Sequence, residues 1–328
     1  MFITEDTGTF DTDTHFFWAL DYNRVLFEHK NTLSCENLQA LCYPPVVYVI
    51  TQSFFALFGK TIIAARISLL PFWLIFIFSL YGLSERIGGK AGAFLVLGLV
   101  LSSPHILNVS RAYMCDFPQI AMIAATIMFL LKSETFSSKK YSILFGMCMG
   151  ITLLVKLASV YVLALPVIIV CIIALIRSRI QIGKRLFYLL PFLTVSLCFF
   201  IVYSYNRAHF MVATDIWLFS FVVLVLIPCL ITLYKYILEC RGGNKEEDCR
   251  FHNISCSFAL FSLIASPWLL WASKTILVKA RSDGEFIALN SANPEVFSNF
   301  FATMFVLPVF WLLVASGVYA VLRNIKQN

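Results

Sequence analysis

Three carboxylates and three isolated cations are the side chains of this sequence best suited to chemistry: Asp11, Asp13 and Asp116, with Arg66, Arg111 and Lys156. A carboxylate beside an acceptor hydroxyl can take its proton as a general base. Arginine holds a phosphate through a planar fork and lysine holds it as a point charge, so the cations suit a departing phosphate. Each residue also has a plainer reading. Asp11 and Asp13 lie in a polar stretch where solvated acids are ordinary, and Asp116 could simply open a helix at its positive dipole end. Arg66 and Arg111 could snorkel to lipid headgroups, and His15 fits an ordinary loop histidine. Lys156 interrupts an apolar run from Tyr141 to Ile176, so it marks an external turn or is buried for a reason.

The elements that must position these groups are membrane helices. Hydrophobic residues make up 60% of the chain and charged residues 13%, which lies far outside the soluble globular range. The mean hydropathy of +0.83 agrees. Apolar runs near the ~20 residues a crossing helix needs recur along the chain, without the ten-residue alternation of barrel strands. The expected fold is all-α, a polytopic helical membrane protein with about nine spans near 62–84, 91–108, 117–132, 141–155, 157–176, 186–204, 215–238, 254–274 and 299–322. Three regions follow: an external acidic loop with a juxtamembrane helix (1–61), a core of helices (62–176), and C-terminal helices with an external loop at 274–299 (177–328). The segment after Pro44-Pro45 is too short to cross and reads as the juxtamembrane helix, with the prolines at its start where a missing N–H does no harm.

Lysine and arginine collect in alternate loops, at Arg86 and Lys90, Lys132 to Lys140, Arg177 to Arg185, Arg241 to Arg250, and Arg323. Those loops are expected to be cytoplasmic, which places the N-terminal region outside and the C-terminus inside. An external N-terminal region with no signal peptide leads us to expect a further apolar helix of about 20 residues upstream of Met1. The net charge of +7 is then topogenic and lipid-directed, and no nucleic-acid module is present. Ten cysteines are scattered without metal-ligand spacing, so no resident metal is expected, although an acidic loop of this kind could bind a divalent ion weakly.

The order of short motifs over roughly residues 10–166 resembles the GT-C class of membrane glycosyltransferases, in the branch of protein O-mannosyltransferases and lipid A aminoarabinose transferases. The motifs are Asp11-Thr12-Asp13-Thr14-His15, Tyr43-Pro44-Pro45-Val46, Leu57-Phe58-Gly59, Ala64-Ala65-Arg66, Ser103-Pro104, Ser110-Arg111, Asp116, Leu154-Val155-Lys156 and Leu165-Pro166. The resemblance implies a transferase that moves a sugar from a polyprenyl-phosphate donor, dolichyl- or undecaprenyl-linked, to a lipid, glycan or protein acceptor. The site would lie at the external face of a bacterial inner membrane or the endoplasmic reticulum. It implies Asp11 or Asp13 as base, Asp116 as a further catalytic acid, the three cations on the donor phosphate, and His15 and Tyr43 in support. Tyr43 stands where several relatives carry lysine or histidine, and Asp11-x-Asp13 replaces an Asp-Glu pair. A polytopic transporter or flippase, and a noncatalytic membrane subunit, are the rival classes. Acids in external loops instead of mid-span, and the lack of matching halves with broken helices, speak against transport.

Overall fold

The computed structural model describes residues 10–27, 43–177, 226–227, 229–234 and 249–271. Among the described residues there are helices and turns and no strand, as the composition requires. The main helices among the described residues, in chain order, are α1 (Phe10–Phe27), α2 (Val46–Phe58), α3 (Ile62–Ile67), α4 (Leu70–Leu101), α5 (Pro104–Arg111), α6 (Asp116–Lys132), α7 (Lys139–Val155), α8 (Ser159–Arg177) and α9 (Cys249–Trp271).

The first difference from the sequence reading lies at the N-terminus, where part of the expected loop is an 18-residue helix, α1. Its buried stripe is Thr12, His15, Ala19, Tyr22 and Asn23, a helical spacing of three and four. Most of that stripe can hydrogen-bond, so hydropathy does not reveal it. The Pro44-Pro45 element behaves as read: α2 begins directly after it, with the Val49 N–H donating to the Pro45 carbonyl at 2.9 Å. Thirteen residues of helix reach about 20 Å, short of a bilayer. Gly59 stops the helix at φ 79°, a left-handed conformation that glycine adopts without a Cβ penalty. Thr61 then caps α3 by accepting from the Ala64 N–H at 3.1 Å.

Among the described residues, the stretch Ile62–Leu101 is long and apolar enough to cross a membrane. It does not run straight. Gly89 sits at φ 67° and ψ −173°, and the rings of Tyr81 and Phe94 lie 5.7 Å apart across it. Thirteen residues of straight helix would separate them by about 20 Å, so the chain folds back at Gly88-Gly89 into two arms. That reversal is where the sequence reading put a loop between two spans. The second arm ends early: the expected span 91–108 breaks at Ser102-Ser103, and Pro104 opens the separate helix α5. Helices α5 and α6 meet at a bend of 115°, a broken span if the two are taken together. The expected spans at 117–132, 141–155 and 157–176 coincide with α6, α7 and α8. Those at 186–204 and 299–322, and parts of the two between them, lie outside the described residues, as does the loop at 274–299.

One core cluster joins α1, α2, the start of α4 and the start of α6 through Tyr48, Phe72, Phe76, Tyr113 and Phe117. A second, around Leu130, Phe136, Phe145 and Leu163, joins α6, α7, α8 and α9. Outward, Leu74, Phe78, Phe94, Leu95 and Leu99 are exposed, as large side chains facing lipid would be. Helices α7 and α9 approach through small residues. A Cβ on Gly146 would fall 2.3 Å from the Ser257 carbonyl oxygen, and one on Gly150 would fall 2.9 Å from the Ile264 Cβ. The Ser257 hydroxyl donates to the Ser142 carbonyl at 2.7 Å, and the Asn253 amide donates to the Phe136 carbonyl at 2.8 Å. Close backbone approach of this kind is how helices associate where lipid removes the hydrophobic drive.

Gly146→Leu is therefore expected to force α9 off α7 and destabilise the protein by at least the ~1–3 kcal/mol of an overpacked core. Gly88→Leu is the control, since nothing lies within 4 Å of a Cβ there. Thermal denaturation in detergent should show a clear drop for the first variant and little change for the second. Equal melting temperatures would contradict the packing.

Candidate functional site

Four helix ends converge on the candidate site. Helix α1 turns its polar stripe toward α2, whose facing residues Tyr48, Thr51 and Gln52 follow the i, i+3, i+4 rule. Gln52 binds at both ends: its Nε2 donates to the Ala19 and Tyr48 carbonyls at 3.0 and 2.8 Å, and its Oε1 accepts from Asn23 at 2.8 Å. Thr51 meets the hydroxyls of Ser68 and Tyr113 at 2.8 and 2.7 Å, which ties α2 to the end of α3 and to the loop before α6. These are buried polar groups with partners, as an interior demands.

At the centre His15 is buried, with Nδ1 2.6 Å from the Tyr48 hydroxyl. The Cys115 thiol lies 3.6 Å from the same hydroxyl oxygen. If the thiol hydrogen points to that oxygen, the phenol hydrogen is left to donate to Nδ1. Around His15 stand the rings of Trp18 and Tyr43, edge-on at 5.0 and 5.1 Å, while Trp18 packs on Tyr43 at 4.5 Å.

Cys115 precedes Asp116, the first residue of α6, whose carboxylate accepts from Lys156 Nζ at 2.6 Å. Lys156 caps α7 in an extended conformation, φ −160° and ψ 125°, in the tight turn before α8. The side chains of this pair are 27% (Lys156) and 36% (Asp116) exposed, so it is neither sealed nor fully solvated. Burial pushes the Lys156 ammonium toward a lower pKa, but the Asp116 charge and hydrogen bond outweigh it, and Tyr43 is close enough to act in the same direction. The ammonium is held charged. Lysine carries three N–H donors, so one pairing with Asp116 leaves others for an anion.

The structure thus brings together His15, Tyr43, Asp116 and Lys156. It sets Arg66 in the last turn of α3 and Arg111 at the end of α5, both half-buried. Asp13 is half-buried in the first turn of α1, and Asp11 occupies the turn's second position. Among the described residues no group of three or more His, Cys, Asp or Glu could hold a metal ion. Tyr48, Thr51, Gln52 and Cys115 are the site residues that sequence reasoning missed. The signal was available for α2: three hydrogen-bonding side chains at helical spacing inside an apolar run. For Cys115 there was none beyond its place next to Asp116.

Burial pushes the Cys115 thiol up to about 12, although the Tyr48 hydroxyl and Lys156 pull it down. The folded protein therefore keeps a proton that the unfolded chain loses near 9.0, and this contribution to stability is whole below that pH and lost as pH rises toward 12. Lys156, also raised, has the same sign and loses its share higher up. The melting temperature in detergent is expected to fall steadily above about pH 9, and Cys115→Ala should flatten the first part of that fall. An unchanged slope in Cys115→Ala would contradict the assignment.

One family comparison supports a membrane glycosyltransferase of the GT-C type. Residues 43–205, just under half of the 328-residue chain, match the family model described as dolichyl-phosphate-mannose-protein mannosyltransferase. The match contains Tyr43, Arg66, Arg111, Asp116 and Lys156, and begins after α1 with its Asp11, Asp13 and His15. No curated protein and no solved structure matches the chain.

Proposed function

We propose that the protein transfers a sugar, with mannose the first to test, from a polyprenyl-phosphate donor to an acceptor hydroxyl at the external face of the membrane. The observation that carries this reading is the partly exposed Lys156 ammonium, kept charged by Asp116 and close enough to Tyr43 to feel it. In the proposed step a carboxylate of α1, Asp11 or Asp13, takes the acceptor proton. The acceptor oxygen bonds to the sugar's anomeric carbon as the bond from that carbon to the phosphate oxygen breaks. The electron pair leaves with the phosphate, where Lys156, with Arg111 and Arg66 in reserve, offsets its charge. A single displacement of this kind inverts the anomeric centre and forms no covalent enzyme intermediate. Asp116 serves by orienting Lys156 and keeping it protonated. In this reading the chain is a multi-pass protein of about nine spans, with α1 and α2 outside and the C-terminus in the cytoplasm. The acceptor is a lipid, glycan or protein, and protein is favoured by the family's description.

The test is transfer of radiolabelled mannose from dolichyl- and undecaprenyl-phosphate donors to membrane acceptors by the full-length protein. Label appearing in an acceptor fraction, and lost with Lys156→Met, is the expected result. Transfer unaffected by that variant would remove the proposed chemistry, and no transfer from any donor would favour a transporter or a noncatalytic subunit.

A further inference from the structure

We propose that Tyr48 is a positioning residue whose hydroxyl fixes the carboxylate-bearing end of α1 against the first turn of α6. The inference rests on the transferase reading given above. Tyr48 is fully buried in α2. Its hydroxyl meets both His15 of α1, at 2.6 Å, and Cys115, at 3.6 Å, and these are shorter than the direct approach of the Cys115 sulfur to His15 Nδ1, at 3.9 Å. His15 lies four residues from Asp11 and two from Asp13, while Cys115 is bonded to Asp116 and so to the Lys156 pair. The hydroxyl is therefore the shortest polar link between the end of α1 that carries the acids and the turn that carries the Asp116–Lys156 pair, while Gln52 holds the other end of α1 through Ala19 and Asn23. The ring itself is held independently, stacked on Tyr22 at 5.1 Å and on His15 at 6.0 Å. Removing only the oxygen should leave the packing in place and loosen the tie.

Tyr48→Phe is the decisive variant, measured in two ways on the full-length protein. Steady-state transfer should show kcat lowered about tenfold, the size of one lost buried hydrogen bond, with the donor KM within about twofold. Hydrogen exchange should quicken across residues 10–27 and stay unchanged across α7 (139–155). His15→Phe should reproduce both effects, and the double variant should add little to either, since the two groups act through one contact. A variant with normal kcat, or one whose α1 exchanges at the native rate, overturns the proposal. If the native protein transfers no sugar from any polyprenyl phosphate, the transferase reading fails by itself. The tie between α1 and α6 is then judged on exchange alone, and unchanged exchange sinks it too.

Discussion

Lys156→Met is expected to lower transfer by about 10²- to 10³-fold, the usual cost of removing a group aimed at charge that develops in the transition state. The loss should appear in kcat more than in donor KM, because the phosphate's charge grows as the glycosidic bond breaks. Lys156→Arg is not expected to rescue fully: the site holds a compact ammonium 2.6 Å from a carboxylate, and a planar fork is wider. Asp116→Asn gives a sharper diagnostic. The amide oxygen can still accept from Nζ, so orientation survives while the charge goes. Burial lowers the Lys156 pKa and the Asp116 charge raises it, with the second prevailing. In the asparagine variant burial prevails instead, and the ammonium should lose its proton at a lower pH. The alkaline limb of kcat/KM is therefore expected to move to lower pH in Asp116→Asn, with near-native activity recovered on the acid side of the shifted limb. An unmoved limb would mean that Lys156 does not titrate in the activity, and equal kinetics in all three variants would make the pair merely structural.

The parts of this architecture that follow from apolar periodicity were legible in the chain. Helices α6, α7 and α8 fall where the hydropathy places them, and Lys156 stands in the turn that its charge announces. Gly88-Gly89 reverses α4 where two glycines and flanking charges suggest a loop, because a left-handed residue there costs glycine little. Helix α1 was not legible as a helix. Its buried face is made of Thr12, His15, Tyr22 and Asn23, and it is paired with Gln52 and Tyr48 of a helix far along the chain, so the signal exists only after the two meet. The candidate site shows the same division. Asp116 and Lys156 could each be picked out as charges in apolar surroundings, but nothing in a separation of 40 residues says that they bond. Tyr48 and Cys115 pass as core because their polar atoms are satisfied inside it.

The α1 acids should respond unequally to substitution. Asp11 and Asp13 are two residues apart, about 200° around a helix, so they start on opposite faces and only one can share the face that meets Tyr48 and Cys115. His15 defines that face through its contact with Tyr48. Position 11 lies four residues before it, on the same side, whereas position 13 is turned away. Asp11→Asn is therefore expected to lower kcat by about 10²- to 10⁴-fold, the range for a lost general base, with Asp13→Asn within about tenfold of native. Both acids also sit in the first turn of α1, where a carboxylate favours the helix dipole by about 0.3–1 kcal/mol. Each variant should then lose a similar small amount of stability, so unequal activity at equal folded protein isolates the chemistry. A general base also has a signature that a helix cap lacks: the acid limb of kcat/KM in the native enzyme should vanish in Asp11→Asn and persist in Asp13→Asn. The reverse order would assign the base to Asp13 and rotate the assumed working face of α1. Full activity in both variants would leave the acids as helix-opening residues and take the proton acceptor out of this helix.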